Sequence, residues 1–256
     1  MRNFSFLILI ILVFSCKETN KTEQNTPAES LTANIIIDKT IKNACQGDCD
    51  HVVIEFTFRD KTYRSSRNGG FYKLERIKMD SNNKIHDVVS NNGLMRFVNE
   101  EAVSIPDSLA QNISDGVNSV HYFAQLPYGL NAPSVQKKLL GEDTVKGKDY
   151  YEIIVTFSEE GGGTDFDDTF LYWVNKETLT IDYLAYKYAT NGGGVRFREA
   201  YNPRVVEGIR FVDYNNYKPD DKNVHLSNLD KLFSEGKLKL LSKIETENVK
   251  VTTKKK

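Results

Sequence analysis

The sequence predicts an α+β fold: one large, curved antiparallel β-sheet, an incomplete barrel, carrying two longer helices and one short helix. Three observations predict it. From His51 onward apolar residues recur at every second position, the spacing of a strand with one buried face. Two stretches, Ser30–Ala44 and Asp107–Phe123, depart from that period and place apolar residues near helical spacing. Strands and helices do not alternate, which argues against a doubly wound or TIM-barrel architecture.

The first helix has Leu31, Ile35, Ile37, Ile41 and Ala44 on one side, Ser30 as its cap and a cysteine-containing turn as its stop. In His51–Arg59 the apolar Ile54, Phe56 and Phe58 alternate with Glu55, Thr57 and Arg59. Tyr63–Arg67, Gly70–Lys78 and Ile85–Asn91 follow as strands between turns rich in Asn, Asp, Gly and Ser. The second helix starts after Pro106 with Asp107 as cap and carries Leu109, Ile113, Val117, Val120 and Phe123 inward. A meander then runs through Tyr150–Phe157, Phe170–Val174, Thr180–Tyr188, Val195–Tyr201 and Val205–Tyr217. The short helix fits Asn228–Glu235, with Ser227 as cap and Gly236 at the stop. Leu238–Ile244 alternates with lysines and closes the sheet.

The residues ahead of the first helix carry an address. Arg2 precedes an apolar run, Phe4–Phe14, broken only by Ser5 and ended by Ser15-Cys16. The run is shorter than the roughly 20 apolar residues a bilayer span needs, so residues 1–15 read as a signal peptide. A small residue before cysteine resembles a lipobox, which implies cleavage after Ser15 and lipid on Cys16; a plain signal peptide is the alternative. Several acyl chains, at about 0.8 kcal/mol per buried methylene, anchor firmly. Residues 16–30 then form a lipidated cysteine and a flexible tether, for they hold nothing aliphatic larger than Ala28. Residues 31–256 make a single half-barrel domain. The expected location is export and lipid anchoring to the outer membrane, on its periplasmic or surface face.

A net charge of −1 supplies no basic field for nucleic acid, and Lys254–Lys256 is the one basic cluster. Cys45 and Cys49 flank Gln46-Gly47-Asp48. An oxidising compartment favours a disulfide between them; free thiols remain open, and zinc lacks a second ligand pair at matching spacing. A bridge this short ties down one turn and not the fold.

Trp173-Val174-Asn175-Lys176-Glu177-Thr178-Leu179 resembles a hairpin of the periplasmic lipoprotein-carrier superfamily, and Val206–Phe211 is similar to a strand entry of that group. The resemblance implies a curved, incomplete barrel whose concave face is filled by helices and can shelter acyl chains. His121-Tyr122, Leu126–Asn131, Gly161–Asp168 and Gly192–Tyr201 resemble an uncharacterised family of Bacteroidota lipoproteins, which brings no established activity.

The candidate site lies at two glycine triplets, Gly161–Gly163 and Gly192–Gly194. Strand counting puts both at one end of the meander, on neighbouring connections. Arg196 and Arg198, two apart, share a strand face, and Asp165, Asp167 and Asp168 come from the other connection. Three readings stand: a rim of self-paired charges around glycines needed for positive φ, an arginine pair holding a small anionic head group, or calcium on the acidic loop. Neither triplet is a P-loop, since no Gly-Lys-Ser/Thr follows. His121, in an apolar helix end beside Tyr122, Phe123 and Tyr128, reads as a buried structural histidine or as a catalytic base whose partner is not evident. The candidate ligand-binding set is Arg196, Arg198, Asp165, Asp167, Asp168, His121 and Tyr128; catalytic residues are unknown, and no metal or cofactor is expected. The leading function is binding of a lipid-like or amphipathic ligand, or of a partner protein, at a membrane. The alternative is an enzyme of cell-envelope metabolism that uses the glycine-loop rim.

Overall fold

A computed structural model describes residues 31–161, 166–189 and 192–253; the signal segment, Cys16, the tether and Asp165 lie outside them. The chain enters through α1 (Ala33–Ala44), whose buried stripe is Ala33, Ile36, Ile37, Thr40 and Ala44, the three-four spacing of an amphipathic helix. That stripe differs from the expected one because Thr40 can face the interior: its Oγ1 donates to the Ile36 carbonyl at 2.9 Å. Thr32, not Ser30, caps the helix, and its side chain accepts from the Ile35 amide. The following turn holds Cys45 and Cys49 in a disulfide, with Cα atoms 6.3 Å apart. The Gln46 amide donates to the Gly208 carbonyl, so the turn fastens the helix end to a distant strand.

Six strands follow as an antiparallel meander: β1 (Val52–Phe58), β2 (Lys61–Asn68), β3 (Phe71–Asp80), β4 (Asn83–Ser90), β5 (Gly93–Val98) and β6 (Glu101–Val103). The β2–β3 hairpin turns on Gly69 and Gly70, both at positive φ, as a tight two-residue connection requires. The helix α2 (Asp107–Ala124) lies against β3 and β4. Pro106 holds its N-cap position and Asp107 falls in the first turn, where a carboxylate favours the helix dipole without capping it.

The second meander is β7 (Val135–Val145), β8 (Lys148–Phe157), β9 (Thr169–Asn175), β10 (Ile181–Tyr188), β11 (Gly194–Val206) and β12 (Ile209–Lys218). A 3-10 turn at Leu226–Asn228 and α3 (Leu229–Ser234) intervene before β13 (Lys239–Ile244) and β14 (Glu247–Thr253). Here the expectation of one large sheet is corrected. Among the described residues there are two seven-stranded antiparallel sheets, β6-β5-β4-β3-β2-β1-β14 and β7-β8-β9-β10-β11-β12-β13, and no closed barrel. The chain leaves the second sheet at β13 and joins the first as the partner of β1, with Ile54 opposite Val251. Thr246, at the crossing, is bonded to Asp213 and Arg204, so hydrogen bonds leave the ladder at the seam. Where β1 meets β12, Val52, Ile54 and Phe56 pack with Ile209 and Phe211.

The second sheet is covered on both faces. Ile153, Tyr172, Val174 and Leu184 pack with α1 through Ile36 and Ile37. On the opposite face Leu171, Trp173, Tyr183 and Phe197 pack with Leu229 and Phe233 of α3. The half-exposed strands β5, β6, β7 and β14 were not among the expected ones. β7, for example, alternates half-buried with exposed positions and reaches full burial only at Val145, as an edge strand does.

Candidate functional site

Two rows of side chains cross the α1-facing side of the second sheet. One is Val155, Phe170, Tyr186 and Arg196, paired strand to strand; the next is Ile153, Tyr172, Leu184 and Arg198. α1 covers part of this face. Beyond it, a cavity of about 440 Å³ opens between the sheet and the end of α2, within the size range that holds one drug-sized ligand. Phe157, Phe170, Tyr186 and Tyr188 form its sheet wall, Tyr122 and Phe123 its helix wall, and Val212, Tyr214 and Ile244 the side towards the seam. Ring centroids lie 5.4 Å apart for Phe170 and Tyr186 and 5.1 Å for Phe123 and Tyr186. The lining is thus a continuous aromatic surface.

The polar side chains of the lining are Asn118 and Ser119 of α2, Asp168, Arg196 and Arg198, and Thr246 at the seam. Arg196, Arg198 and Asp168 all line this cavity, so three of the sequence candidates come together. Arg198 is 7% exposed. Its Nη2 donates to the Tyr186 hydroxyl at 2.8 Å, and its guanidinium lies 3.7 Å from the centre of the Phe123 ring. Its Nε and Nη1 are buried with no hydrogen-bond partner among the described residues. Arg196 is differently placed: Nη2 donates to the Tyr188 hydroxyl at 2.6 Å and Nη1 to the Val195 carbonyl at 2.9 Å.

The second glycine triplet serves this pair. A Cβ on Gly194 would sit 2.8 Å from the Tyr188 hydroxyl and 3.1 Å from Arg196 Nη1, and Gly192 and Gly193 both hold positive φ. The glycines therefore make room for the chain's own Tyr188 and Arg196. Of the first triplet, Gly161 also has positive φ, and the rest lies outside the described residues. Asp167 is exposed beside the cavity residue Asp168.

His121 and Tyr128 are elsewhere. His121 is buried between α2 and the first sheet, its Nε2 3.1 Å from the Glu75 carbonyl and its Nδ1 3.1 Å from Gln125 Nε2. Burial lowers it to about 4, which makes it a neutral, doubly hydrogen-bonded ring wedged between Phe56 and Tyr63. Tyr128 stacks under Arg67, with the guanidinium 3.5 Å from its ring centre, and donates to Asp50.

Tyr122 and Tyr214 at the cavity, and Tyr172 behind it, hold their protons. Burial pushes Tyr214 up to about 12 and Tyr122 and Tyr172 well above the usual range. Tyr122 and Tyr172 share a 2.6 Å hydroxyl–hydroxyl hydrogen bond. These groups can position a polar atom as neutral donors and acceptors, while charge recognition falls to the arginines.

On the opposite face, Asp143 of β7, Glu152 of β8 and Asp230 of α3 bring carboxylate oxygens within 4.8 Å of one another. Burial, then the hydrogen bond with Asp143, raises Asp230 to about 6. Asp143 and Glu152 share the β7–β8 hairpin, Asp230 comes from far along the chain, and no motif marks the three together.

No curated protein matches the sequence. Solved structures that align over most of the chain include a LolA-superfamily protein from Nitrosomonas europaea, 14% identical, covering 86% of this chain and 94% of that one with a TM-score of 0.49. A DUF1329 family protein from Desulfovibrio piger is 15% identical, covers 85% and 92%, and gives a TM-score of 0.41. A domain described as an outer membrane lipoprotein-sorting protein, from Vibrio parahaemolyticus, is 8% identical, covers 78% and 97%, and gives 0.39. The sequence itself matches a family model over residues 2–246, and the chain belongs to that family of unknown function, DUF6503.

Proposed function

We propose that this protein is an exported lipoprotein, held to the outer membrane by lipid on Cys16, whose domain binds one lipid-like, amphipathic ligand. The observation that carries the reading is the cavity of about 440 Å³, whose walls are largely aromatic and which holds two arginines. Such a space is expensive to leave to water on the apolar side, at roughly 25 cal/mol per Å² of apolar surface, and a hydrocarbon chain fills it without needing a polar partner. The arginine end of the cavity would receive the head group. The Cys45–Cys49 bridge is part of the same reading, since a disulfide persists in an exported protein.

Native mass spectrometry of the protein purified from its own membrane tests the binding reading. A co-purifying amphiphile, displaced by an excess of a fluorescent single-chain acyl probe, is expected. A bare mass together with no binding of the probe would overturn it. Cys16→Ala is expected to release the protein from the membrane fraction, and a variant still processed and sedimenting with membranes would remove the anchor. Alkylation of the exported protein without reduction is expected to leave Cys45 and Cys49 unlabelled.

A further inference from the structure

Arg198 is the only buried arginine or lysine among the described residues. Of the half-buried arginines, Arg76 and Arg96 share the carboxylate of Asp87 and Arg204 meets that of Asp213 at 3.0 Å, while Arg67, over the Tyr128 ring, and Arg210 have no ion pair among the described residues. Arg198, more deeply buried than any of these, likewise has none among the described residues. Its company is the Tyr186 hydroxyl and the rings of Phe123, Tyr186 and Tyr214. Aromatic faces compensate a cation in part, but they do nothing for the in-plane N–H groups of Nε and Nη1, which are left without partners. A buried donor without an acceptor is costly, and a buried cation without an anion more so. Residues that line a 440 Å³ cavity can recover that cost from what enters it.

We propose that Arg198 is the anion-receiving residue of this cavity and that the ligand is a single-chain amphiphile with an anionic head, a carboxylate or a phosphate ester. The proposal rests on the binding reading above and adds its charge specificity. The anion's oxygens take the N–H groups of Nε and Nη1 while the chain lies along Phe157, Phe170 and Phe123. The Phe123 ring, which covers the guanidinium face, shifts to admit the head group. Arg196, already hydrogen-bonded through both terminal nitrogens, does not compete for it.

The test uses the intact domain and four probes of equal chain length: a fatty acid, a monoalkyl phosphate, a fatty alcohol and an alkyltrimethylammonium salt, each titrated by calorimetry below its micelle concentration. The expected result is that one or both anions bind at least about tenfold more tightly than the alcohol, the range of a charge-assisted hydrogen bond, and that the cation binds worst. A preference confined to the carboxylate identifies a fatty-acid head, and one confined to the phosphate a phospholipid-derived head. Arg198→Gln should bring the anions down to the alcohol's affinity while leaving the alcohol unchanged. Because Arg198→Gln can unsettle a buried site, the wild-type comparison stands by itself, and Arg198→Lys, which keeps the charge, should retain part of the preference. Equal binding of alcohol and anions by wild type overturns the anion assignment and leaves the amphiphile reading standing. Binding of none of the four overturns both.

Discussion

The two faces of the second sheet are built from the same strands and are finished differently. On one, Trp173, Phe197 and Tyr183 meet Phe233 of α3, with Phe197 and Phe233 ring centres 4.8 Å apart, and the space is closed. On the other, α1 seals part of the face, and the end of α2 meets the rest only through Tyr122 and Phe123, with the cavity beside them. Alternation along a strand gives both faces the same number of side chains, so the difference lies in the covering elements. α3 lays Leu229 and Phe233 directly on the sheet, while α2 is committed to the first sheet through His121, Val117 and the β3–β4 region. A helix that buries most of its stripe on one sheet covers the other incompletely, and the space left there is lined by the buried Arg198.

The largest test of this contrast is truncation. Trp173→Ala on the closed face should cost about 3–5 kcal/mol, the transfer loss plus a sealed void. Phe157→Ala on the open face removes a half-buried ring that already borders the cavity and should cost only about 1–2 kcal/mol. Urea unfolding of both variants checks this; equal losses would mean that the open face is as tightly packed as the other and would remove the cavity.

Two buried groups, one that fixes α2 to the first sheet and one on the closed face, titrate in opposite senses. His121 is held neutral by burial, near 4 against an ordinary 6.5. The unfolded chain therefore binds a proton that the folded chain refuses, and stability falls as pH drops from about 6.5 towards 4, by on the order of 3 kcal/mol. His121→Gln should flatten that slope in pH-dependent unfolding. An unchanged slope would show that α2 does not anchor through this ring.

Asp230 on the closed face runs the other way. Burial and the Asp143 carboxyl raise it from 3.8 to about 6, so the folded state keeps a proton the unfolded state has lost. Its contribution is full below about 4 and disappears as pH rises through 6. Asp230→Asn should raise the melting temperature at pH 7.5 by a few degrees and much less at pH 5. A shift equal at both pH values would mean that the carboxyls there do not share a proton.

How much of this was legible depends on range. The alternation of Ile54, Phe56 and Phe58, the meander from Tyr150, and both long helices follow from local period, and all three helices lie where the sequence puts them. The split into two sheets does not, because it depends on β14 pairing with β1 across about two hundred residues, and Lys250 and Val251 carry no mark of that partner. At the site, direction counting placed both glycine connections at one end and Arg196 and Arg198 on one face, as the strand pairing has it. It could not say which neighbours those arginines meet. Nor could it see that His121 and Tyr128, close in sequence to the cavity residue Phe123, turn towards the first sheet and the disulfide turn.

The smallest expected effect separates the two arginines that sequence treats as a pair. Arg196 and Arg198 are two residues apart and line one cavity, but their hydrogen bonds differ in kind. Arg196 is satisfied by Tyr188 and the Val195 carbonyl and is half-exposed, so Arg196→Gln removes bonds that glutamine and water replace. Its stability should stay within about 0.5 kcal/mol of wild type, and affinity for an anionic amphiphile should fall no more than about twofold to threefold, the long-range share of one partly solvated charge. Calorimetric titration of Arg196→Gln beside the wild type reads both quantities. If Arg196→Gln instead abolishes anion binding while the Arg198 variant keeps it, the head group sits at the glycine-loop mouth, and the contrast between a closed face and a receiving face holds with the receiving residue reassigned to Arg196.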